Sequence, residues 1–209
     1  MTSSGGLCIR IAGSSSTSWP SSACVVALVF SLVFRPSMIQ VYVDEATLTH
    51  FNVTTTVPNN TSTALYYNLS VAMSVKNPNS KIGIYYRRLE AAASYDGDWF
   101  ASVRLPAFYQ LSNNTTNLHP VIFAGQVTTT SGAGVSKFNR EKEKGCFSIR
   151  LYIYTRVRFK IGPLETNRYK LPDFMCKLSV PLTTSNIRSS SAATAVRFTR
   201  TNCHFRFLF

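Results

Sequence analysis

Carboxylates and histidines are the residues of this sequence that would be expected to carry catalysis or to bind a metal. The nine acidic residues are dispersed, and those close in sequence lie in turn-like or lysine-interleaved segments. A glycosidase needs two carboxylates that flank a cleft, and the spacing here favours no such pair. The three histidines are isolated, and no nucleophile elbow or phosphate-binding glycine motif occurs. We therefore expect a protein that is not an enzyme and that holds no metal or cofactor.

Asparagine sequons predict a different chemistry, the attachment of glycans. Asn-x-Ser/Thr is the acceptor of N-glycosylation, which takes place only on the lumenal side of the secretory pathway. All of the sequons follow residue 35, and they are Asn52, Asn59, Asn60, Asn68, Asn113 and Asn114. If they are used, the C-terminal part of the chain is lumenal or extracellular. Single matches also occur by chance in a chain rich in asparagine and threonine.

An uncharged segment before the sequons predicts how the chain reaches that compartment. Residues 11–34 carry no charge, and residues 23–34 are almost entirely apolar. A spanning helix needs roughly 20 mostly apolar residues, whereas an apolar stretch of about 12 is typical of a signal peptide. No small-x-small cleavage site follows, which favours an uncleaved signal anchor over residues 15–35. A cleaved signal and a buried strand or helix are the alternatives.

The anchor divides the chain into three parts. Residues 1–14 are expected to form a short cytosolic tail, and residues 36–209 an extracellular domain at the plasma membrane. Orientation depends mainly on the sequons, because only Arg10 and Arg35 flank the apolar segment. Cys8, close to the cytosolic side of the membrane, is a candidate for palmitoylation.

The cysteines after the apolar segment are consistent with an oxidising compartment. Cys176 and Cys203 both fall on the inward phase of β-patterned segments, which makes them the natural disulfide pair. Two free buried thiols are the alternative. Cys146 falls on the outward phase and is expected to be the most reactive thiol of the three.

Basic residues are concentrated in the C-terminal part of the chain. Residues 136–209 contain fifteen Lys and Arg against four Asp and Glu. Arg150, Arg156, Arg158 and Lys160 share one parity of a β-patterned segment, so they are expected to project from one face and are candidates for binding a polyanion. For an extracellular domain this polyanion is acidic wall polysaccharide or anionic lipid headgroups, not nucleic acid. The alternative is a solvated face that aids solubility.

Alternation of apolar and polar residues predicts the elements that carry these side chains. It is strongest over residues 67–76 and 147–161, and shorter examples occur at 39–43, 174–180 and 203–209. Turn signals separate them, at Asn77-Pro78-Asn79, Asp96-Gly97-Asp98, residues 132–134 and Gly162-Pro163. Many strands without a convincing amphipathic helix predict an all-β, antiparallel sandwich of immunoglobulin or fibronectin type, behind one N-terminal transmembrane helix.

Five segments, in order, carry a resemblance to a known family. They are FRPSMIQVYVDEATLTHFNV at 34–53, YNLSVAMSVKNPNSKIGIYY at 67–86, LPAFYQLSNNTT at 105–116, YTRVRFKIG at 154–162 and CKLSVPL at 176–182. Together they resemble the plant late embryogenesis abundant group 2 proteins, and within these the non-race-specific disease resistance and harpin-induced-like branch. The family core would cover residues 67–182. The chain departs from the family at Arg87, where an aspartate usually follows the two tyrosines, and in its short tail and apolar segment.

Two hypotheses for function follow. The resemblance implies a single-pass membrane protein of plant defence or abiotic stress, whose outward-facing sandwich serves adhesion, signalling or partner binding. Its partners would be wall polysaccharide, lipid headgroups or defence-signalling proteins. The alternative is a soluble or lumenal module that binds a lipid or another apolar ligand, or that protects membranes during desiccation. The two differ in whether the chain stays anchored in the membrane.

Overall fold

A computed structural model describes residues 37–55, 63–129, 134–183 and 198–206 of the 209-residue chain. The chain divides into two units between residues 35 and 36, and every described residue belongs to the second, Pro36–Phe209. Within the described ranges, no helix is long and apolar enough to cross a membrane. Cys8, the predicted anchor at residues 15–35, and the sequons at Asn59 and Asn60 lie outside those ranges.

Strands make up most of the described residues, which confirms the all-β prediction. In chain order they are β1 Gln40–Thr55, β2 Thr63–Asn77, β3 Ile82–Tyr95, β4 Asp98–Leu105, β5 Phe108–Gln110, β6 Asn114–Asn117, β7 Val121–Thr129, β8 Cys146–Ile161, β9 Leu164–Glu165, β10 Tyr169–Lys170, β11 Asp173–Pro181, β12 Thr201–Asn202 and β13 His204–Arg206. Within the described ranges there is one helix, α1, which spans Gly134–Lys144. The strongly alternating segments of the sequence correspond to β2 and β8.

The strands form two antiparallel sheets that share one hydrophobic core. In sheet A the order is β12-β1-β2, and β6 and β7 pair with the other side of β2. In sheet B the order is β13-β11-β8-β3-β4, with β5 beside β3, and β9 and β10 beside β8. Alternate apolar residues of both sheets, such as Leu69 and Val71 of β2 and Ile149 and Leu151 of β8, are fully buried in one cluster. The arrangement is therefore a sandwich, while its immunoglobulin or fibronectin type stays a prediction.

The Asp-Gly segment forms the turn of the β3–β4 hairpin. Asp96 and Gly97 both have positive φ, of 52° and 97°, and Tyr95 pairs with Asp98 across the turn. A two-residue hairpin turn of this hand matches the twist of its strands and favours Asp-Gly. The Asp96 carboxylate accepts a hydrogen bond from Lys137 Nζ at 2.9 Å. The prediction of a turn at this segment is confirmed.

A β-bulge in β3 determines where Arg87 lies. The register of β3 against β8 shifts between Tyr86 and Arg88, so the alternation of side chains changes phase there. Tyr86 and Leu89 both face the core, and Arg87 is exposed at the bulge. The position at which the chain departs from the family is thus a surface position next to the outer face of sheet B.

Helix α1 corrects the expectation that the domain has no helix. It contains a single buried aromatic side chain, Phe138, whose ring centroid lies 5.9 Å from that of Phe51 and 5.4 Å from that of Phe147. Val135 is the other large apolar residue of the helix and the remainder is mostly polar, so its apolar side is too short to be recognised as the stripe of an amphipathic helix. Tertiary contacts supply the stability that the local sequence does not show.

A buried carboxylate completes the docking of α1. Glu141 accepts hydrogen bonds from the Tyr95 hydroxyl and from Ser148 Oγ, both at 2.9 Å, and from the Ser148 amide at 3.2 Å. Burial, together with the hydrogen bond to Glu141, raises the pKa of Tyr95 well above its ordinary value. The phenol therefore stays protonated and remains a donor to Glu141 at physiological pH.

The C-terminal segment crosses from one sheet to the other at a disulfide. β12 pairs with β1 of sheet A, and β13 pairs with β11 of sheet B. Between them, Cys203 is bonded to Cys176 of β11, with a Cα–Cα distance of 4.4 Å. Of the strand predicted over 203–209, β13 covers His204–Arg206 and Cys203 precedes it as a loop residue, while residues 207–209 lie outside the described ranges. Cys146, at the start of β8, is a free, half-exposed thiol.

Candidate polyanion-binding site

The outer face of sheet B carries the four basic residues singled out in the sequence. Along β8, odd-numbered residues enter the core and even-numbered residues point away from it. Arg150, Arg156 and Lys160 are exposed, and Arg158 is half-buried. Their side chains share a face as the parity predicts, although Tyr152 and Tyr154 separate Arg150 from the other three.

Neighbouring strands add basic side chains that sequence parity could not identify. Lys177 lies directly opposite Arg150, and Arg104 of β4 lies opposite Glu90 of β3. The Arg206 guanidinium stands 5.5 Å from the centre of the Tyr152 ring. With these, the register places nine residues on what we call the basic face: Arg88, Arg104, Arg150, Arg156, Arg158, Lys160, Lys170, Lys177 and Arg206. The described acids on it are Glu90, Glu165 and the buried Asp173.

Three cations form a row across the middle of the basic face. Lys170 of β10 and Arg88 of β3 lie directly opposite Arg156 of β8, one on each side. Like charges directly opposite each other destabilise a sheet. Among the described residues, Arg156 makes no ion pair, whereas Arg88 pairs with Glu90 at 2.9 Å. A depression of about 170 Å³, lined in part by all three cations, opens over this row.

Glu90 is the carboxylate nearest to the row. The hydrogen bond from Arg88, followed by the one from Ser102, lowers the pKa of Glu90 below its ordinary value. The group therefore stays ionised at physiological pH and offsets part of the positive charge beside it. Removing this charge is one way to strengthen the field of the face without adding a contact.

Aromatic rings stand among the basic side chains. Tyr85 and Tyr109 are cross-strand partners, both roughly 40% exposed, and they line a depression of about 340 Å³ with Arg158, Lys160 and Glu165. Gly83 makes room for this arrangement, because a Cβ at that position would collide with the Tyr109 phenol. Flat rings beside cations offer both an apolar stacking surface and charge.

Further along the basic face, Trp99 and Tyr152 form a second aromatic pair. Their ring centroids are 4.6 Å apart, and half of the Trp99 side chain is exposed. The face therefore presents two separate aromatic pairs, one at each side of the cationic row.

The described sequons lie away from the basic face. Asn52 of β1 and Asn68 of β2 are exposed on the outer side of sheet A. Asn113 and Asn114 are exposed at the turn that leads into β6, also in sheet A. Glycans on any of these four residues would leave the outer face of sheet B open to a ligand.

An apolar cleft lies at one edge of the sandwich, between the two sheets. Its volume is about 390 Å³, and it is lined by residues 103–106, Phe108 and residues 116–122. Leu105, Phe108 and Leu118 supply apolar walls, and Arg104 and His119 are polar groups among the lining residues. The cleft is the described feature that best fits the apolar-ligand hypothesis.

Comparisons with known proteins identify the family. A family model described as "Late embryogenesis abundant protein" matches residues 72–173. NDR1/HIN1-like protein 10 of Arabidopsis thaliana is 43% identical over 164 residues, which cover 78% of this chain and 69% of that protein. NDR1/HIN1-like protein 3 of the same plant is 32% identical over 163 residues, which cover 78% and 68%. The chain therefore belongs to the late embryogenesis abundant group 2 family, in its NDR1/HIN1-like branch, and this membership indicates a role in plant stress or defence.

Proposed function

We propose that this protein is a non-enzymatic, membrane-tethered interaction protein of plant stress and defence, whose extracellular sandwich binds acidic wall polysaccharide through the basic face. The observation that carries the proposal is the row of Lys170, Arg156 and Arg88. Such a row is unfavourable in the free protein, and an anion that bridges it would relieve the repulsion. An acidic polysaccharide supplies carboxylates at regular intervals along one chain.

The shape of the basic face favours a linear polymer over a compact anion. From Arg150 to Lys160, β8 extends for roughly 33 Å at 3.3 Å per residue. Three exposed rings, those of Tyr85, Tyr109 and Trp99, provide surfaces on which sugar rings can stack, and the buried Tyr152 ring packs against Trp99. No sequon of the described residues lies on this face, so glycosylation of the protein would leave it accessible.

Neutralising three cations of the face should weaken polysaccharide binding without lowering stability. We expect the triple variant Arg156→Gln, Lys160→Gln and Lys170→Gln to bind polygalacturonate about tenfold more weakly, since each exposed ion pair contributes roughly 0.2–1 kcal/mol. The melting temperature should not fall, because exposed charges contribute little to stability. The affinity of the parent should decrease steeply with salt. Titration calorimetry at two salt concentrations measures the loss of affinity in the variant and the salt dependence of the parent.

A matched control distinguishes the effect of charges on the basic face from the effect of net charge. Lys76→Gln, Arg140→Gln and Lys144→Gln remove the same charge from exposed positions on β2 and α1, and this triple variant should bind like the parent. In the opposite direction, Glu90→Gln should strengthen binding, because it removes the ionised carboxylate beside Arg88. Equal binding by both triple variants would contradict the proposed site. Binding of anionic vesicles but not of polygalacturonate would assign the face to lipid headgroups.

Anchoring and glycosylation test the proposed topology. Expressed in a plant secretory system, the full chain should stay in the membrane pellet after alkaline carbonate, and enzymatic N-deglycosylation should increase its mobility on a gel. Asn52 and Asn68 are exposed on the outer side of sheet A, so their side chains are accessible for the attachment of a glycan. Release by carbonate would instead support the soluble alternative, with the cleft between β4 and β7 as its ligand site. The absence of a mobility shift, alongside a control glycoprotein that shifts, would contradict an extracellular domain.

A further inference from the structure

We infer that one end of the sandwich rests on the surface of the bilayer, in contact with lipid headgroups; this inference rests on the membrane tether proposed above. The end in question, which we call the tip, comprises residues 37–38, the corner at 78–81, the turn at 111–113 and the β8–β9 turn at 162–164. Ile82 pairs with Ile161, and Asn77 Nδ2 donates to the Leu111 carbonyl at 3.0 Å. These contacts join the parts of the tip.

Asn79 holds the entering chain at the tip. The Ser37 amide donates to Asn79 Oδ1 at 2.7 Å, and Asn79 Nδ2 donates to the Ser37 carbonyl at 2.9 Å. The buried Asn79 is itself oriented by Asn77, whose Oδ1 accepts from the Asn79 amide at 3.1 Å and from Asn79 Nδ2 at 2.9 Å. The Asn-Pro-Asn motif thus fixes the backbone of Ser37 as a neighbouring strand would.

Chain connectivity then limits the distance between the tip and the membrane. The predicted anchor ends at Arg35, and two residues span at most about 7 Å when fully extended. The headgroup region on each side of a bilayer is itself roughly 5–7 Å thick. Because Ser37 is clamped, the tip cannot move away from the membrane on a flexible linker. With this anchor in place, the tip therefore lies at the headgroups.

The exposed apolar side chains of the tip fit this position. Met38, Leu111 and Leu164 are 65%, 60% and 71% exposed, and each belongs to a different part of the tip. Met38 follows the clamped Ser37, Leu111 lies at the Asn77 side chain, and Leu164 pairs with Ile161. In the interfacial region such side chains would leave water, as the apolar side of an interfacial element does.

The same orientation predicts which of the described sequons carry a glycan. Asn113 donates its backbone amide to the Asn79 carbonyl at 2.8 Å, so the sequons at Asn113 and Asn114 lie beside Leu111 at the tip. A glycan on either residue would hold the tip away from the headgroups. We therefore expect both to be unmodified in the mature protein, whereas Asn52 and Asn68, on the face of sheet A, stay available.

Quenching of single tryptophans by brominated lipid tests the inference in the full chain. Trp19→Phe and Trp99→Phe provide a background without tryptophan, into which Leu164→Trp or Leu111→Trp is introduced. In vesicles of phosphatidylcholine with brominated acyl chains, the Leu164→Trp and Leu111→Trp variants should both lose fluorescence relative to unbrominated vesicles, because their side chains lie at the interface. Ile122→Trp is the matched control, since Ile122 is 62% exposed but lies at the cleft between the sheets. It should not be quenched.

The outcomes distinguish this inference from the proposed function. A chain that keeps only Trp19, within the predicted anchor, should be quenched and should resist alkaline carbonate. If it does neither, the tether fails and this orientation fails with it. If it does both, but Leu164→Trp and Leu111→Trp fluoresce equally in the two kinds of vesicle, the orientation alone is overturned. A glycan found by mass spectrometry on Asn113 or Asn114 of the membrane-bound protein would also overturn it.

Discussion

Loss of the Cys176–Cys203 disulfide is expected to lower the free energy of unfolding by about 3 to 4 kcal/mol, on the chain-entropy model for a loop of this size. The two residues are 27 positions apart in sequence. The bond also links the crossing from β12 in sheet A to β13 in sheet B covalently to β11, so its loss leaves the end of the chain held by strand pairing and side-chain contacts alone. Denaturant unfolding of Cys176→Ser and Cys203→Ser, monitored by fluorescence, measures the effect.

Comparison of single and double variants tests whether the two cysteines act as one bond. Either substitution opens the same loop, so the double variant should lose no more stability than the more affected single variant. Cys146→Ser is the matched control, and it should change stability little because Cys146 is free and half-exposed. Additive losses for Cys176→Ser and Cys203→Ser would mean that the two thiols contribute separately, as buried side chains.

Replacement of Asn77 by leucine is expected to cost roughly 3 kcal/mol or more, because each buried group left without a partner costs about 1–3 kcal/mol. The side chain is completely buried. Its Nδ2 donates to the carbonyls of Ile82 and Leu111, and its Oδ1 accepts from Asn79. Leucine is close to asparagine in size, but it can neither donate to the two carbonyls nor accept from Asn79. The loss should appear in the midpoint and in the extrapolated free energy of denaturant unfolding.

Two further variants make the result specific to the hydrogen bonds of Asn77. Asn117→Leu introduces the same side chain at an exposed position of β6, and it should change stability by less than about 0.5 kcal/mol. Asn77→Asp keeps the acceptor for Asn79 but loses both donors, so it too should be clearly destabilised. A cost for Asn77→Leu as small as that for Asn117→Leu would mean that the corner does not depend on this amide.

Features that depend on a single stretch of chain were predictable from the sequence. Alternation over residues 67–76 and 147–161 identified β2 and β8 because side chains of a strand point to opposite faces in turn. Asp96-Gly97 predicted its turn because these residues tolerate positive φ. The family, too, was accessible, since its motifs are contiguous segments. For the site, parity placed four basic residues of β8 on one face.

Features that depend on segments far apart in sequence were decided only by the tertiary structure. Lys170 and Arg88 join Arg156 because the strand register brings three strands together. Asn79 meets Ser37 across 42 positions, and Glu141 meets Tyr95 across 46. Helix α1 also depends on distant contacts, because its stability comes from the packing of Phe138 and Glu141 on the sandwich. Local sequence determines which way a side chain points from its strand, whereas register and docking, set by the burial of the whole core, determine which side chains it meets.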